Sequence, residues 1–345
     1  MTHKRTIFLL MLLILFLILP LFHPVKPQTT LLSNPPPELK ILNGVTLSIN
    51  GDPALGAAAS SGNGSAANPY IIKNKFINAS GAGTHGISIR NTNAYFILRN
   101  CTVTNAYTPY YAVYFYNVTH ARLENINASN NHGVAIALNS SILITLVGTI
   151  ANNNYYAGIW LWRCLYNNLT ATTVNENNYG LELDCSNYTT ISGIIANNNH
   201  QSGIYFLRSI YPTLTGATAN NNGYGINLRY CNYSTIYGNT ANNNRYDGIF
   251  LALSNSNGVA GNLISSNSIG IELASSNYNI VTGNTLYNNS ECITEEDCIG
   301  NTLENNNCGT SGDPLLIILL ILIPIVGLAL GFFILYRRRG LRASP

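Results

Sequence analysis

Charge is what this sequence has least of: Asp, Glu, Lys and Arg make up 9% of its 345 residues. The formal net charge of +3 is not spread along the chain. Lys4, Arg5, Arg337, Arg338, Arg339 and Arg342 sit at the two ends, leaving 17 − 6 = 11 basic residues against 14 acidic ones between them, a net −3. No basic patch remains, which excludes nucleic acid as a partner. Methionine is confined to Met1 and Met11, and tryptophan to Trp160 and Trp162. Within the repeated units described below no segment has a helical period or the length of a helix, so helical repeats are excluded.

The apolar residues pile up at the termini. Residues 6–22 follow Lys4 and Arg5 and read as a secretory signal peptide or an uncleaved signal anchor. Residues 315–336 are 22 apolar residues, against the roughly 20 that a membrane span needs. The basic tail 337–345 marks the cytoplasmic side. The expected layout is a signal or anchor over 1–22, a Pro-rich linker and start of a cap over 23–50, an ectodomain over 51–308, a linker over 309–314, a transmembrane helix over 315–336 and the tail. It is a single-pass cell-membrane protein with an extracellular ectodomain. Ten sequons fall there, at Asn63, Asn78, Asn100, Asn117, Asn127, Asn139, Asn168, Asn187, Asn232 and Asn288, and are candidate glycosylation sites.

Between the ends the chain repeats itself. A small residue followed by alternating apolar residues recurs, as in "GIWL" at 158, "GLEL" at 180, "GIYF" at 203, "GINL" at 225, "GIFL" at 248 and "GIEL" at 270. Earlier copies are "GISI" at 86, "AVYF" at 112 and "GVAI" at 133, where the step falls to 21 and then rises to 25. Leu146, Leu169, Ile191, Leu214, Ile236, Val259 and Val281 form a second ladder, and Gly148, Ala171, Gly193, Gly216, Gly238, Gly261 and Gly283 a third. A fixed period of this length means a solenoid. Each unit holds short β-branched or alternating segments separated by Asn, Gly and Ser, so the expected class is all-β: a parallel β-helix of about nine to ten coils stacked at roughly 4.8 Å. The recurrent "NNN" triplets suit its corners, because Asn tolerates left-handed backbone and stacked Asn side chains hydrogen-bond along the stack.

Units such as "GYGINLRYCNYSTIYGNTANNN" and "DGIFLALSNSNGVAGNLISSN" resemble the right-handed parallel β-helix repeats of the NosD-like and pectin-lyase-like superfamily, over about residues 68–308. The Asn-rich, anchored form looks most like archaeal cell-surface proteins. The resemblance implies lyases, hydrolases, surface proteins or an accessory protein of copper-enzyme maturation, and the fold does not choose among them. A copper site needs soft or imidazole ligands, yet His85, His120, His132 and His200 are scattered over several coils. No metal site and no cofactor are expected. Only five aspartates exist, Asp52, Asp184, Asp247, Asp297 and Asp313, and polygalacturonase-like signatures are absent.

In "G-I-x-L-x" the two x residues point outward and stack into two columns. The first is read as Ser88, Tyr114, Ala135, Trp160, Glu182, Tyr205, Asn227, Phe250 and Glu272; the second as Arg90, Tyr116, Ala137, Trp162, Asp184, Leu207, Arg229, Ala252 and Ala274. Aromatic faces beside carboxylates suit sugar rings, so Tyr114, Tyr116, Trp160, Trp162, Tyr205 and Phe250 are the candidate ligand-binding residues. The bland alternative is a partner interface or exposed aromatics without a role. Glu182, Asp184 and Arg229 are the catalytic candidates, since carboxyl pairs at this spacing serve glycosidases. Cys164, Cys185 and Cys231 are placed in one corner column with Ser209, Ser254 and Ser275. "ECITEEDC" is read as a break in the repeat with a disulfide between Cys292 and Cys298.

Three functions stay open: a surface protein that displays a carbohydrate-binding or partner-binding face without catalysis, a polysaccharide hydrolase or lyase, and a structural spacer. The topology has its own test. Protease added to intact cells should degrade residues 40–310 and spare the tail beyond Tyr336; protection of the middle would refute export.

Overall fold

The computed structural model describes residues 41–43 and 46–309. The signal or anchor 1–22, most of the linker 23–50, residues 310–314, the span 315–336 and the tail 337–345 lie outside the described residues. Among the described residues no helix is long and apolar enough to cross a membrane.

The described chain is a parallel β-solenoid. Two long sheets hold eleven strands each, and two shorter ones hold three and four. The first long sheet runs Leu47–Asn50, Ile87–Thr92, Val113–Val118, Ile136–Asn139, Ala157–Trp162, Tyr179–Asp184, Ser202–Leu207, Tyr224–Arg229, Asp247–Ala252, Ile269–Ala274 and Glu291–Glu296. The second contains the expected ladder: Leu146, Leu169, Ile191, Leu214, Ile236, Val259 and Val281 are successive Cα partners, and all seven are fully buried. The third ladder marks a corner. Gly148, Gly193, Gly216, Gly238, Gly261 and Gly283 take φ of 60–64°, and Ala171 follows at 49°.

Each Asn triplet divides its labour. In 220–222, Asn220 accepts the backbone N–H of Asn242 at 2.8 Å, Asn221 turns the corner at φ 57°, and Asn222 points inward. The inward residues Asn131, Asn154, Asn177, Asn199, Asn222, Asn244 and Asn267 form one buried line. Each Oδ1 after the first accepts both the backbone N–H and the Nδ2–H of its predecessor, as in Asn199 to Asn222 at 2.8 and 3.0 Å. Two further lines, Asn239–Asn262–Asn284 and Asn257–Asn279, work the same way.

The register corrects three readings. Ala137 pairs with Tyr114 and with Trp160, and Asn139 with Tyr116 and Trp162. That coil therefore starts at Ala135, not Gly133, and the first column contains Ala137 where Ala135 was expected; the irregular steps of 21 and 25 become two steps of 23. The buried corner column is Cys164, Ser186, Ser209, Cys231, Ser254, Ser276 and Cys298, joined by bonds such as Cys164 N–H to Ser186 Oγ at 3.1 Å. Cys185 and Ser275 are one residue earlier, at the left-handed corner. Finally, "ECITEED" does not break the repeat: Glu291–Glu296 is the last strand of the first sheet, in register with Ile269–Ala274. Glu295 takes the inward Leu273 position, and is exposed there because no further coil covers it.

The disulfide follows from that register, and joins Cys292 to Cys308 with Cα atoms 5.9 Å apart, not Cys292 to Cys298. In the two preceding coils a glycine stands against an aliphatic side chain. A Cβ on Gly248 would lie 2.4 Å from Ile264 Cγ2, and one on Gly270 would lie 2.5 Å from Leu286 Cδ2. Ile264, Leu286 and Cys308 are successive partners, and Cys292 follows Gly270 in its column. The last coil thus replaces a glycine and an aliphatic residue by two bonded cysteines. Cys298 instead donates to Leu273 O and Glu296 O.

At the other end, the helix Asp52–Ala58 sets Leu55 into the core. Its Asp52 carboxylate accepts from Thr92 Oγ1 and from the N–H groups of Asn93 and Ala94, and the Thr92 bond above all lowers its pKa.

The Asn line has a measurable weight. Asn222→Ala leaves two buried donors of Asn199 unpaired, at about 1–3 kcal/mol each. Denaturant unfolding should show a loss of about 2–6 kcal/mol; an unchanged midpoint would show that the line carries no stability.

Candidate functional site

In the first sheet the residue before the small one joins the two expected columns, so three positions per coil face away from the core. In successive coils they are Ala157, Trp160 and Trp162; Tyr179, Glu182 and Asp184; Ser202, Tyr205 and Leu207; Tyr224, Asn227 and Arg229; and Asp247, Phe250 and Ala252. The two columns expected from the sequence are present in register. The column preceding the glycine is a third, which strict alternation assigns inward. It supplies Tyr179, Tyr224 and Asp247.

This added column changes the burial of the face. Ala157 and Ala137 form a small apolar cluster with Val134, against which Tyr111, Tyr114, Trp160 and Tyr179 pack. Trp160 is therefore partly buried, and its Nε1–H is enclosed without a partner. Trp162 stacks on Trp160 at 6.1 Å and carries Arg163 over its ring at 4.7 Å. Tyr114 lies against His85 at 4.5 Å, with Tyr116 6.5 Å further out. Tyr205 stacks on Tyr179 at 5.5 Å. Phe250 is buried, with Tyr224 at 5.5 Å and Arg229 over it at 5.2 Å. Aromatic rings thus occupy the face from the His85 coil to the Phe250 coil.

The catalytic candidates separate. Glu182 was expected to project into solvent, but is only 7% exposed, flanked in its column by Trp160 and Tyr205. Its Oε2 has no hydrogen-bond partner. Burial, with the neighbouring Asp184 charge second, pushes its pKa up to about 7. Asp184 is held outside by Arg208, at 3.3 Å, and accepts the Cys185 thiol. Arg229 lies two coils away, on a pocket of about 260 Å³ that it shares with Tyr179, Gln201, Ser202, Tyr205, Tyr224 and Asn227. Asn227 Oδ1 is buried there without a partner. A further acid escapes the sequence pattern: Asp247 is 4% exposed and bonded to Glu272, and burial followed by that neighbour raises its pKa. Its partner Glu272 stands in the first column read from the sequence, but the column of Asp247 itself is visible only in the structure.

Sequon asparagines lie mostly off this face. Asn63, Asn100, Asn117, Asn127, Asn168 and Asn288 are exposed, whereas Asn78, Asn139, Asn187 and Asn232 are partly buried. Ser141, Thr189 and Ser234, the hydroxyl residues of the last three, are buried.

Comparison with known proteins agrees with this geometry. Residues 149–312 match the family model described as periplasmic copper-binding protein (NosD), and residues 57–209 match the one described as right handed beta helix region. With the coil register, these matches define the chain as a right-handed parallel β-helix protein of the NosD-like kind. No curated protein matches it at the sequence level. Among solved structures, it is similar to the A-module of Azotobacter vinelandii mannuronan C-5 epimerase AlgE6, with TM-score 0.56, 14% identity, and coverage of 71% of this chain and 87% of that one. The A-module of AlgE4 from the same organism gives TM-score 0.55 at 13% identity, covering 78% and 97%. The periplasmic alginate epimerase AlgG gives 0.51 at 13%, covering 78% and 85%. At such identities the likeness is one of fold.

The side chains present do not fit copper. Among the described residues no three His, Cys, Asp or Glu side chains converge, and none is methionine. His85 uses Nδ1 to accept the Tyr111 N–H at 3.0 Å, and burial ahead of the Arg90 charge lowers its pKa to about 4.

Glu182 supplies a pH test. Its folded pKa of about 7 exceeds the ordinary 4.5, so the folded chain holds a proton that the unfolded chain has lost between those values. Relative to Glu182→Gln, the wild type should be most stable below pH 4.5, and should lose about 3 kcal/mol as pH rises to 7 and beyond. Parallel stability curves for the two proteins would contradict the buried placement.

Proposed function

We propose that the first sheet of this β-helix binds carbohydrate through its outward face, as a cell-surface protein anchored by the apolar segment 315–336. The observation that carries this reading is the run of rings from Tyr114 and Tyr116 through Trp160, Trp162 and Tyr205 to Phe250, with Glu182, Asp184 and Arg229 set among them. Ring faces suit the apolar C–H faces of sugars, and polar groups between them suit hydroxyls. The similar epimerases are named for mannuronan and alginate, which supports a polysaccharide ligand. The exposed sequons Asn63, Asn100, Asn117, Asn127 and Asn288 lie outside the outward columns of this sheet, so glycans carried there would leave the face open.

Glu182 favours a second reading, a glycoside hydrolase or lyase. A carboxyl with a pKa of about 7 is suited to exchange protons at neutral pH. The two readings separate experimentally. An array of alginates and neutral glycans should retain the full-length protein, and Trp162→Ala should weaken that retention at least tenfold, or about 1.4 kcal/mol. Trp160→Ala should weaken it too, and will also cost stability because Trp160 packs on Ala137 and Ala157. Glu182→Gln should keep most of the binding. If product release from a retained glycan disappears in Glu182→Gln while binding persists, the face is catalytic. Equal retention of wild type and Trp162→Ala would remove the carbohydrate reading and leave a spacer.

A further inference from the structure

A second aromatic array lies at the corner between the two long sheets, outside the site described above. Tyr166, Tyr188, Tyr211 and Tyr233 stack on one another at 4.9, 5.1 and 5.0 Å, with interplanar angles of 12–18°. All four are exposed. All four also hold left-handed backbone, with φ of 51–59°. A bulky side chain is disfavoured there; the corner three residues earlier also carries bulky side chains, Arg163, Arg208 and Tyr230, but these do not form a stack of four rings. Four exposed, stacked rings in one column make a continuous apolar strip, the kind of surface that marks a contact.

The partner follows from charge and position. The residues just before the ring column are Leu165, Asn187, Ile210 and Asn232, and those two after it are Asn168, Thr190, Thr213 and Thr235. None is charged, so neither an acidic nor a basic partner is favoured. The column is interrupted at Ser256 and resumes at Tyr278, beside which Ile280, Ile299 and Leu303 are exposed toward the C-terminal end. The chain leaves this end at Gly309, and the apolar run 315–336 begins six residues later. Six residues reach at most about 20 Å. Tyrosine, apolar in body and polar at its tip, is enriched where bilayer meets water.

We propose that this tyrosine edge is a lipid-facing surface, along which the rod lies on the bilayer that holds segment 315–336. The proposal rests on the anchor part of the function reading, requires the sequon asparagines Asn168, Asn187 and Asn232 of this strip to carry no glycan, and is independent of carbohydrate binding. The two native tryptophans are the only ones in the chain and sit on the first sheet, so a replacement background without them gives a clean probe. Full-length Trp160→Phe/Trp162→Phe protein carrying Tyr211→Trp is reconstituted in phosphatidylcholine vesicles with brominated acyl chains. A parallel sample carries Tyr155→Trp, at a corner away from the strip. Circular dichroism checks that both retain the β-helix, and alkaline extraction checks that both stay in the membrane.

The expected result is loss of indole fluorescence in the Tyr211→Trp protein and none in the Tyr155→Trp protein. Unquenched fluorescence from Tyr211→Trp protein that resists extraction overturns the lipid-facing edge while the anchor stands. Equal quenching in the two proteins overturns it as well. Release on extraction removes the anchor and the proposal with it. None of these outcomes bears on glycan retention by the first sheet, so the two failures are distinguishable.

Discussion

Coil-to-coil hydrogen bonding by buried asparagine is the constraint on which the rest of this molecule depends. A parallel sheet bonds backbone to backbone, and is indifferent to sliding by two residues. The inward Asn line is not indifferent, because each Oδ1 must meet both the N–H and the Nδ2–H of the residue one coil earlier. A slip would leave those donors unpaired in the core. The Asn line therefore fixes the period at 22 or 23 residues, and with it every side-chain column outside.

Low charge follows from the same geometry. A side chain repeated in every coil meets its own copy at about 4.8 Å, where like charges repel and like rings or amides attract. Charges are accordingly scattered or paired, as Asp184 is with Arg208. Where a carboxyl does enter a column of rings, it is driven toward its neutral form: Glu182 by burial and then by Asp184, Asp247 by burial and then by Glu272. The face thus combines apolar surface with carboxyls that hold their protons near neutral pH.

Period and inward identity are legible in the sequence, because any residue that must repeat coil after coil leaves a trace. The ladder from Leu146 to Val281 and the glycine corner from Gly148 to Gly283 can be placed residue by residue. Local geometry within a coil is not legible in the same way. Two-residue alternation misses that the residues before Gly180, Gly225 and Gly248 join the outer face, so it assigns Tyr179, Tyr224 and Asp247 inward and leaves Glu182 bare. It also puts Cys185 in the corner column, one residue from the side chain that occupies it. The coil at 133 is misphased because Gly133 imitates the small residue that Ala135 supplies. The stacked tyrosines are in plain view in "CLYNN", "SNYTT" and "CNYST", yet a bulky ring is not expected at a left-handed corner. The Cys292–Cys308 bond follows from the contact of Gly270 with Leu286 one coil earlier, which only the structure shows.

The central claim is that the rings of the first sheet meet a glycan directly. The chain has two indoles, Trp160 and Trp162, so a nitrogen-labelled sample should show two indole N–H resonances. Titration with soluble alginate and neutral β-glucan oligosaccharides reads both at once. Saturable movement of the Trp162 signal, with a smaller shift at the enclosed Trp160, is the result this account predicts. Binding by an independent measure with both indole signals unmoved would place the ligand elsewhere and contradict it.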